Sequence, residues 1–184
     1  MERWPKYENS YSSGGETTKV RELLKHYVFE KNGLDLGFGG DPIIDTAITL
    51  DMPQPYQHIG RYPQNLRGDA TSLYWFKDGV LDYVFSSHLL EDFKDPRPIV
   101  EEWSRVLRIG GFLILLLPNQ SRYEDYCKSI SEIPNQNHSN PDMSLVWMLE
   151  FLKKNFPELH LVEGSDIQDD YGFYIVLEKR KSLS

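Results

Sequence analysis

The chain has 184 residues, of which 40% are hydrophobic and 26% charged, a balance typical of one globular domain and not of a disordered chain. The formal net charge of −8 argues against a surface that holds long nucleic acid through phosphate contacts. Cys127 is the single cysteine, so no internal disulfide can form. The longest apolar run, residues 112–117, is too short to span a membrane. We therefore expect a cytoplasmic protein with no membrane partner.

The N-terminal part divides into an arm and a helix. Residues 1–15 are polar and aromatic and end in Ser-Ser-Gly-Gly, which predicts a mobile arm, with a single domain over residues 16–184. Behind the arm, apolar residues recur at helical spacing, and Thr17 or Thr18 is a candidate N-cap. The apolar stripe consists of Val20, Leu23, Leu24, Tyr27 and Val28.

Short apolar runs separated by turn residues follow from residue 33. Their near-continuous apolar character indicates a sheet covered on both faces, which is typical of parallel α/β domains. The predicted strands are 33–37, 47–51, 81–86, 112–117, 160–163 and 173–178.

Two further helices with one apolar face each are predicted in the second half. Asp95 and Pro96 supply the N-cap and first helical position of one, and Gly110 ends it. Asn140 and Pro141 open the other in the same way.

The sharpest local feature is the glycine turn of residues 35–40, Asp-Leu-Gly-Phe-Gly-Gly. Glycines let the backbone approach a ligand closely, and open α/β sheets bind nucleotides at such turns. An ordinary strand-to-loop turn would explain the same residues, so the motif is weak alone.

Two acids follow at the ends of the next apolar segments. Asp51 ends the second predicted strand, where a carboxylate can accept hydrogen bonds from both hydroxyls of a ribose. The alternative is a strand-end aspartate without a ligand. Asp69 follows Leu66-Arg67-Gly68 and, taken alone, is typical of a turn.

Together these segments resemble the class I S-adenosylmethionine-dependent methyltransferase family over roughly residues 33–120. Residues 35–40 resemble its acid-x-Gly-x-Gly motif, 81–88 its fourth strand, and 105–112 its Arg-Val-Leu-Lys-Pro-Gly-Gly segment. The resemblance implies a Rossmann-like α/β sandwich whose seven-stranded sheet is mostly parallel with one antiparallel terminal strand. It also implies S-adenosylmethionine as methyl donor and S-adenosylhomocysteine as product.

The resemblance assigns a role to each matched position. In the family, the turn surrounds the methionine part of the donor, with its acid on the ammonium group. The acid after the second strand binds the ribose, and the segment after the third strand contacts the adenine. Here these positions are Asp35, Gly37 and Gly39 for the methionine, Asp51 for the ribose, Met52, Asp69 and Ala70 for the adenine, and Ser86, whose carbonyl faces the methionine end.

The spacing departs from the family between the first strands. Nine residues separate Gly37 from Ala47, whereas a parallel crossover with a helix needs a dozen or more. Three prolines disfavour a helix between Asp51 and Asp69. We predict that two crossover helices are shortened or lost, and that a partner subunit of a homodimer completes the sheet face.

Two histidines are candidate general bases, since imidazole titrates near neutral pH. His88 follows the fourth predicted strand, where the acceptor would meet the methyl group; alternatively it shapes the pocket. His138 lies in the polar loop 135–140, where the alternative is an exposed loop histidine. Glu91 and Asp92 are interpreted as acids at a helix N-terminus.

The predicted function is methyl transfer from S-adenosylmethionine to an O or N atom of a small polar molecule, with a sugar or glycan precursor as first candidate. No metal-ligand cluster is evident.

Aromatic residues of the arm would form a lid over the donor or remain an unattached tail. An NAD-dependent oxidoreductase is disfavoured because Pro42 stands where the dinucleotide motif needs its third glycine. A methyltransferase-like binding module without turnover remains an alternative. The arm aromatics are Trp4, Tyr7 and Tyr11.

Overall fold

A seven-stranded sheet forms the centre of the computed structural model, which describes residues 15–53 and 64–181. Helices pack on both faces of this sheet, as the apolar strands predict. The strands are β1 (Gly33–Leu36), β2 (Ile48–Asp51), β3 (Leu66–Arg67), β4 (Leu81–Ser87), β5 (Leu107–Pro118), β6 (Leu159–Asp166) and β7 (Gly172–Lys179). The α-helices are α1 (Arg21–Val28), α2 (Arg97–Val106), α3 (Gln120–Ser129) and α4 (Leu145–Asn155).

The strand order is β3-β2-β1-β4-β5-β7-β6. Strand β7 pairs antiparallel with both β5 and β6, and all other neighbours pair parallel. The one strand that runs against the others is therefore the last in the chain. This confirms the predicted mostly parallel sheet with one antiparallel terminal strand.

Two apolar cores lie on opposite faces of the sheet. On one face, Trp103 of α2 and Met148 of α4 belong to one core with apolar residues of β1 and β5. On the other, Leu24 of α1 packs with Tyr83 and Phe85 of β4. These side chains are almost completely buried, and each such burial contributes about 1.5–3 kcal/mol to folding.

The first crossover contains no helix. Residues 37–47 pass from β1 to β2 through turns alone, which confirms the predicted loss. Helix α1, which precedes β1 in the chain, covers that face together with Ile43 of the crossover. The second crossover lies partly outside the described residues, and the predicted homodimer stays a prediction. Residues 1–14, which contain nearly all of the predicted arm and its aromatics, also lie outside the described residues.

Several predicted helix boundaries are wrong. Helix α1 has Val20 as its N-cap, not Thr17 or Thr18, because a 3-10 turn at Glu16–Lys19 precedes it. Leu23 is 49% exposed and does not belong to its buried stripe.

Helix α2 ends at Val106 and not at Gly110, because distant contacts determine its end. The Lys179 ammonium donates to the carbonyls of Ser104 and Leu107 at 2.6 and 2.9 Å, so the chain continues directly into β5. At the start of α2, the Asp95 side chain accepts from the Arg97 N–H at 3.0 Å, while Pro96 occupies the N-cap position.

Helix α4 begins at Leu145 rather than at Pro141. Ser144 is its N-cap, whereas the Asn140 side chain accepts from the Asp142 N–H within a turn. Helix α3 was not predicted; Asn119 caps it by accepting from the Arg122 N–H at 3.3 Å.

Candidate functional site

The carboxyl ends of β1, β2 and β4 meet at one edge of the sheet. Leu36 is in register with Leu50 on one side and with Ser86 on the other. The Gly37 N–H donates to the Leu50 carbonyl at 2.8 Å, so the glycine turn begins at this edge. The predicted donor-binding residues therefore converge where open α/β sheets bind their ligands.

Asp51 joins the end of β2 to the glycine turn. Its Oδ2 accepts from the Gly39 N–H at 3.2 Å, and its Oδ1 accepts from the Met52 N–H at 2.8 Å. The carboxylate is thus held in a fixed orientation, with 9% of the residue exposed. Met52 beside it is 46% exposed, which leaves its side chain available to pack on a ligand. Their ribose and adenine roles stay predictions.

Asp35 lies beneath the glycine turn and is completely buried. Its Oδ2 accepts from the Ile43 N–H at 2.6 Å, while its Oδ1 is buried with no hydrogen-bond partner among the described residues. Burial raises the pKa of Asp35 to about 8, against the opposing effect of the Ile43 N–H. An orphaned carboxyl oxygen at this point fits a donor with an ammonium group, and the predicted ammonium contact stays a prediction.

The predicted adenine segment follows β3 and forms a turn. The Asp69 Oδ1 accepts from the Thr71 N–H at 2.8 Å and from the Thr71 hydroxyl at 2.7 Å, so the turn role is present. The Ala70 carbonyl accepts from the buried Trp103 indole N–H at 2.8 Å. Helix α2 therefore holds this segment from behind, and the contacts of Asp69 and Ala70 with adenine stay predictions.

Ser86 lies near the end of β4 and is buried. Its hydroxyl donates to the Leu36 carbonyl at 3.3 Å, which ties the ends of β4 and β1 together. The role of its carbonyl towards the methionine end of the donor stays a prediction.

His88 follows β4 with a left-handed backbone, φ 49°, and its N–H donates to the Leu116 carbonyl at 2.9 Å. The ring lies between two carboxylates: Nδ1 is 3.4 Å from Glu91 Oε1, and Nε2 is 3.5 Å from Glu16 Oε2. Burial alone would lower the pKa of His88, but the Glu91 and Glu16 carboxylates outweigh it and raise the pKa.

His138 lies on the same carboxylate as His88. Its Nε2 is 3.8 Å from Glu91 Oε1, and its Nδ1 is 2.8 Å from Gln120 Oε1. The His138 side chain is only 5% exposed, so the exposed-loop alternative is wrong. Burial lowers the pKa of His138. The interpretation of Glu91 as a plain helix N-terminal acid is also incomplete, because it lies buried between both predicted histidines.

The N-terminal 3-10 turn lies over His88. The Tyr171 hydroxyl donates to Glu16 Oε1 at 2.8 Å, and the Lys19 ammonium lies 2.6 Å from Asp170 Oδ2 and 4.8 Å from the centre of the Tyr171 ring. The Tyr171 ring meets His88 edge to face at 6.0 Å. Sequence reasoning missed Glu16 and Tyr171, which are 155 positions apart and carry no local motif.

Comparison with known proteins supports a methyltransferase. Residues 46–115 match the model of the methyltransferase domain family. A demethylmenaquinone methyltransferase of Renibacterium salmoninarum is 27% identical over 173 residues, which covers 81% of this chain and 72% of the relative. This chain is an S-adenosylmethionine-dependent methyltransferase, similar to the class I family.

Solved structures share the fold of the methyltransferase. A protein from Pyrococcus horikoshii is 19% identical with a TM-score of 0.64, covering 89% of each chain. A SAM-dependent methyltransferase from Methanosarcina mazei is 16% identical with a TM-score of 0.59, covering 86% of this chain and 97% of the other.

The described residues of the methyltransferase fit S-adenosylmethionine better than a dinucleotide. The fixed Asp51 carboxylate and the orphaned Asp35 oxygen match the hydroxyl and ammonium donors of S-adenosylmethionine. A dinucleotide would need a helix N-terminus after the turn, and residues 37–47 contain none. Within the described part of the chain, no helix is long and apolar enough to cross a membrane, and no side-chain cluster suited to a metal ion is present.

Proposed function

We propose that the methyltransferase methylates an O or N atom of a small polar molecule, with a sugar or glycan precursor as the first candidate. The observation that carries this proposal is the position of His88, whose imidazole follows β4 at the edge of the sheet where the donor residues converge. A hydroxyl or amine loses a proton on methylation, and a partly buried imidazole beside the acceptor is suited to take it.

S-adenosylmethionine supplies an activated methyl group: its carbon–sulfur bond breaks, the electron pair stays on sulfur, and the acceptor atom forms the new bond to carbon. Asp51 orients the ribose, and Asp35 with the glycine turn holds the methionine part. His88 takes the proton from the acceptor atom at Nε2. Most of the catalytic effect then comes from positioning the two reactants.

The side chains around His88 support a polar acceptor. Glu16 and Asp170 supply carboxylate oxygens for hydroxyl or amine hydrogens, and the Tyr171 ring offers a flat face for stacking. Glu16 Oε2 lies 3.5 Å from His88 Nε2, so the acceptor atom takes the place of this oxygen when it reaches the base.

The test is a panel of sugars, nucleotide-sugars and amines incubated with methyl-labelled S-adenosylmethionine, with products read by mass spectrometry. On the acceptor that works, His88→Ala lowers turnover about 10²–10⁴-fold. The affinity of the His88→Ala variant for S-adenosylhomocysteine, measured by calorimetry, stays near that of the wild type. His138→Ala is measured alongside as a test of the other predicted base. Full activity of the His88 variant would remove His88 from the mechanism, and binding of the donor without turnover on any acceptor would favour the binding module.

A further inference from the structure

We propose that Glu91 is a positioning residue of the methyl transfer: its buried carboxylate accepts the Nδ1–H of His88 and leaves Nε2 as the atom that receives the proton. The proposal rests on the proposed role of His88 as general base, and it assigns a function to a residue that the donor site does not use.

The burial of Glu91 is the first observation. Glu91 has no exposed surface, and neither carboxylate oxygen has a hydrogen-bond partner among the described residues. A carboxylate in such a place is costly unless a cation or an N–H group compensates it. The nearby nitrogens are His88 Nδ1 at 3.4 Å and His138 Nε2 at 3.8 Å, both measured to Oε1.

A chain of contacts behind His138 decides which histidine supplies the N–H. The Gln120 amide donates to Glu124 Oε1 at 3.0 Å, which directs its carbonyl oxygen towards His138 Nδ1 at 2.8 Å. His138 therefore carries its proton on Nδ1, and its Nε2 presents a lone pair to Glu91. In the neutral cluster only His88 Nδ1 can donate to the carboxylate, which fixes the tautomer of His88.

This arrangement also separates the roles of the two histidines. His138 directs both ring nitrogens at protein groups and is nearly buried, so it has no free atom for an acceptor. His88 Nε2 has no hydrogen-bond partner among the described residues and faces Glu16 on the covering turn. His138 thus lies beside Glu91 without donating to it, and His88 alone presents a base.

The charged and titratable groups facing His88 come from every element around it. Glu91 and Glu16 favour the imidazolium form, and the Lys19 ammonium opposes it. Carboxylates outnumber ammonium groups in this set, so removal of one carboxylate should make His88 easier to deprotonate. The set consists of Glu16, Lys19, Glu91, His138, Asp170 and Tyr171.

The experiment measures the imidazole of His88 by nitrogen-15 NMR, with His88→Gln for assignment, and needs no acceptor. In the wild type we expect neutral His88 to carry its proton on Nδ1. In Glu91→Gln, which keeps the shape and removes the charge, we expect the pKa of His88 to fall by about one pH unit or more. Glu16→Gln is the matched control: it also lowers the pKa but leaves the tautomer unchanged.

A proton on Nε2 of neutral His88 in the wild type would overturn the proposal, and this result does not depend on the folding of any variant. An unchanged pKa of His88 in a folded Glu91→Gln protein that binds S-adenosylhomocysteine normally would overturn it as well. With an acceptor at hand, the acid limb of the pH–rate profile should move to lower pH in Glu91→Gln. If His88→Ala stays fully active while the NMR results hold, the general-base proposal fails and the pairing of Glu91 with His88 stands.

Discussion

Replacing Asp51 by asparagine should weaken donor binding more than it weakens the fold. Asparagine keeps the shape of the side chain and one acceptor oxygen, so either the Gly39 or the Met52 N–H retains its partner. What is lost is the charge on the oxygens that would accept both ribose hydroxyls. Hydrogen bonds to a charged group contribute about 1.5–3 kcal/mol each, against about 1 kcal/mol for neutral ones.

Weakening two such bonds gives an expected loss of more than about 1.5 kcal/mol in binding, or more than about tenfold in the dissociation constant. Calorimetry with S-adenosylhomocysteine measures this directly. Asp125→Asn is the matched control, because Asp125 has the same chemistry but lies exposed on α3 in a pair with Lys128. That exposed pair contributes little, so the control should bind like the wild type.

The fold should survive the Asp51 substitution, with the free energy of unfolding within about 1.5 kcal/mol of the wild type. A normal dissociation constant in a folded Asp51→Asn protein would refute the ribose assignment. Loss of folding together with binding would instead support the strand-end alternative, in which Asp51 serves only to hold the glycine turn.

Three further predictions concern the support of the site. Gly37→Ala should lose more stability in chemical denaturation than Gly79→Ala. Both positions have φ of +66°, where an alanine costs about 1–2 kcal/mol, but only at Gly37 would the added Cβ lie 2.9 Å from a neighbouring side chain. Equal losses of stability in the two variants would contradict this. Trp103→Phe should lower the free energy of unfolding by about 1–3 kcal/mol and weaken S-adenosylhomocysteine binding, since the Ala70 carbonyl loses its hydrogen-bond donor. Unchanged stability would refute a stabilising role of this hydrogen bond. Burial raises the pKa of Asp35 to about 8 from an ordinary value of 3.8, so the wild type should lose stability as pH rises from about 4 through 8. Asp35→Asn should lack that loss in urea unfolding at several pH values, and parallel pH curves for the two proteins would contradict it.

The strands were predictable because their apolar character is local. All six predicted strands are present within a few residues, since β1, β4 and β5 are buried on both faces and need continuous apolar runs. The helix boundaries were not, because contacts from elsewhere determine them. The end of α2 depends on Lys179, which arrives from the last strand of the chain.

The same difference separates the residues predicted to bind the donor from those around His88: local sequence positions the first group, and distant contacts position the second. Donor-side residues sit at strand ends, so order along the chain translates directly into position at the sheet edge, as for Asp35 and Asp51. On the acceptor side, Glu16 and Tyr171 come together from opposite ends of the chain. Glu91 and His138 meet through a loop whose course no periodicity describes. A sequence pattern could therefore propose His88 and His138 as bases, but it could not place the Glu91 carboxylate between them.

The shortened first crossover has a consequence for the surroundings of His88 as well. Where a helix would ordinarily follow the glycine turn, the chain turns at once and buries Asp41. The Asp41 carboxylate accepts from the Thr18 N–H at 3.1 Å and pairs with Arg21, which fixes the start of α1 against the turn. The same N-terminal segment carries Glu16 to His88 Nε2 at 3.5 Å. Loss of the crossover helix thus gives the N-terminal segment a place beside the glycine turn, and from that place it brings the Glu16 carboxylate next to His88.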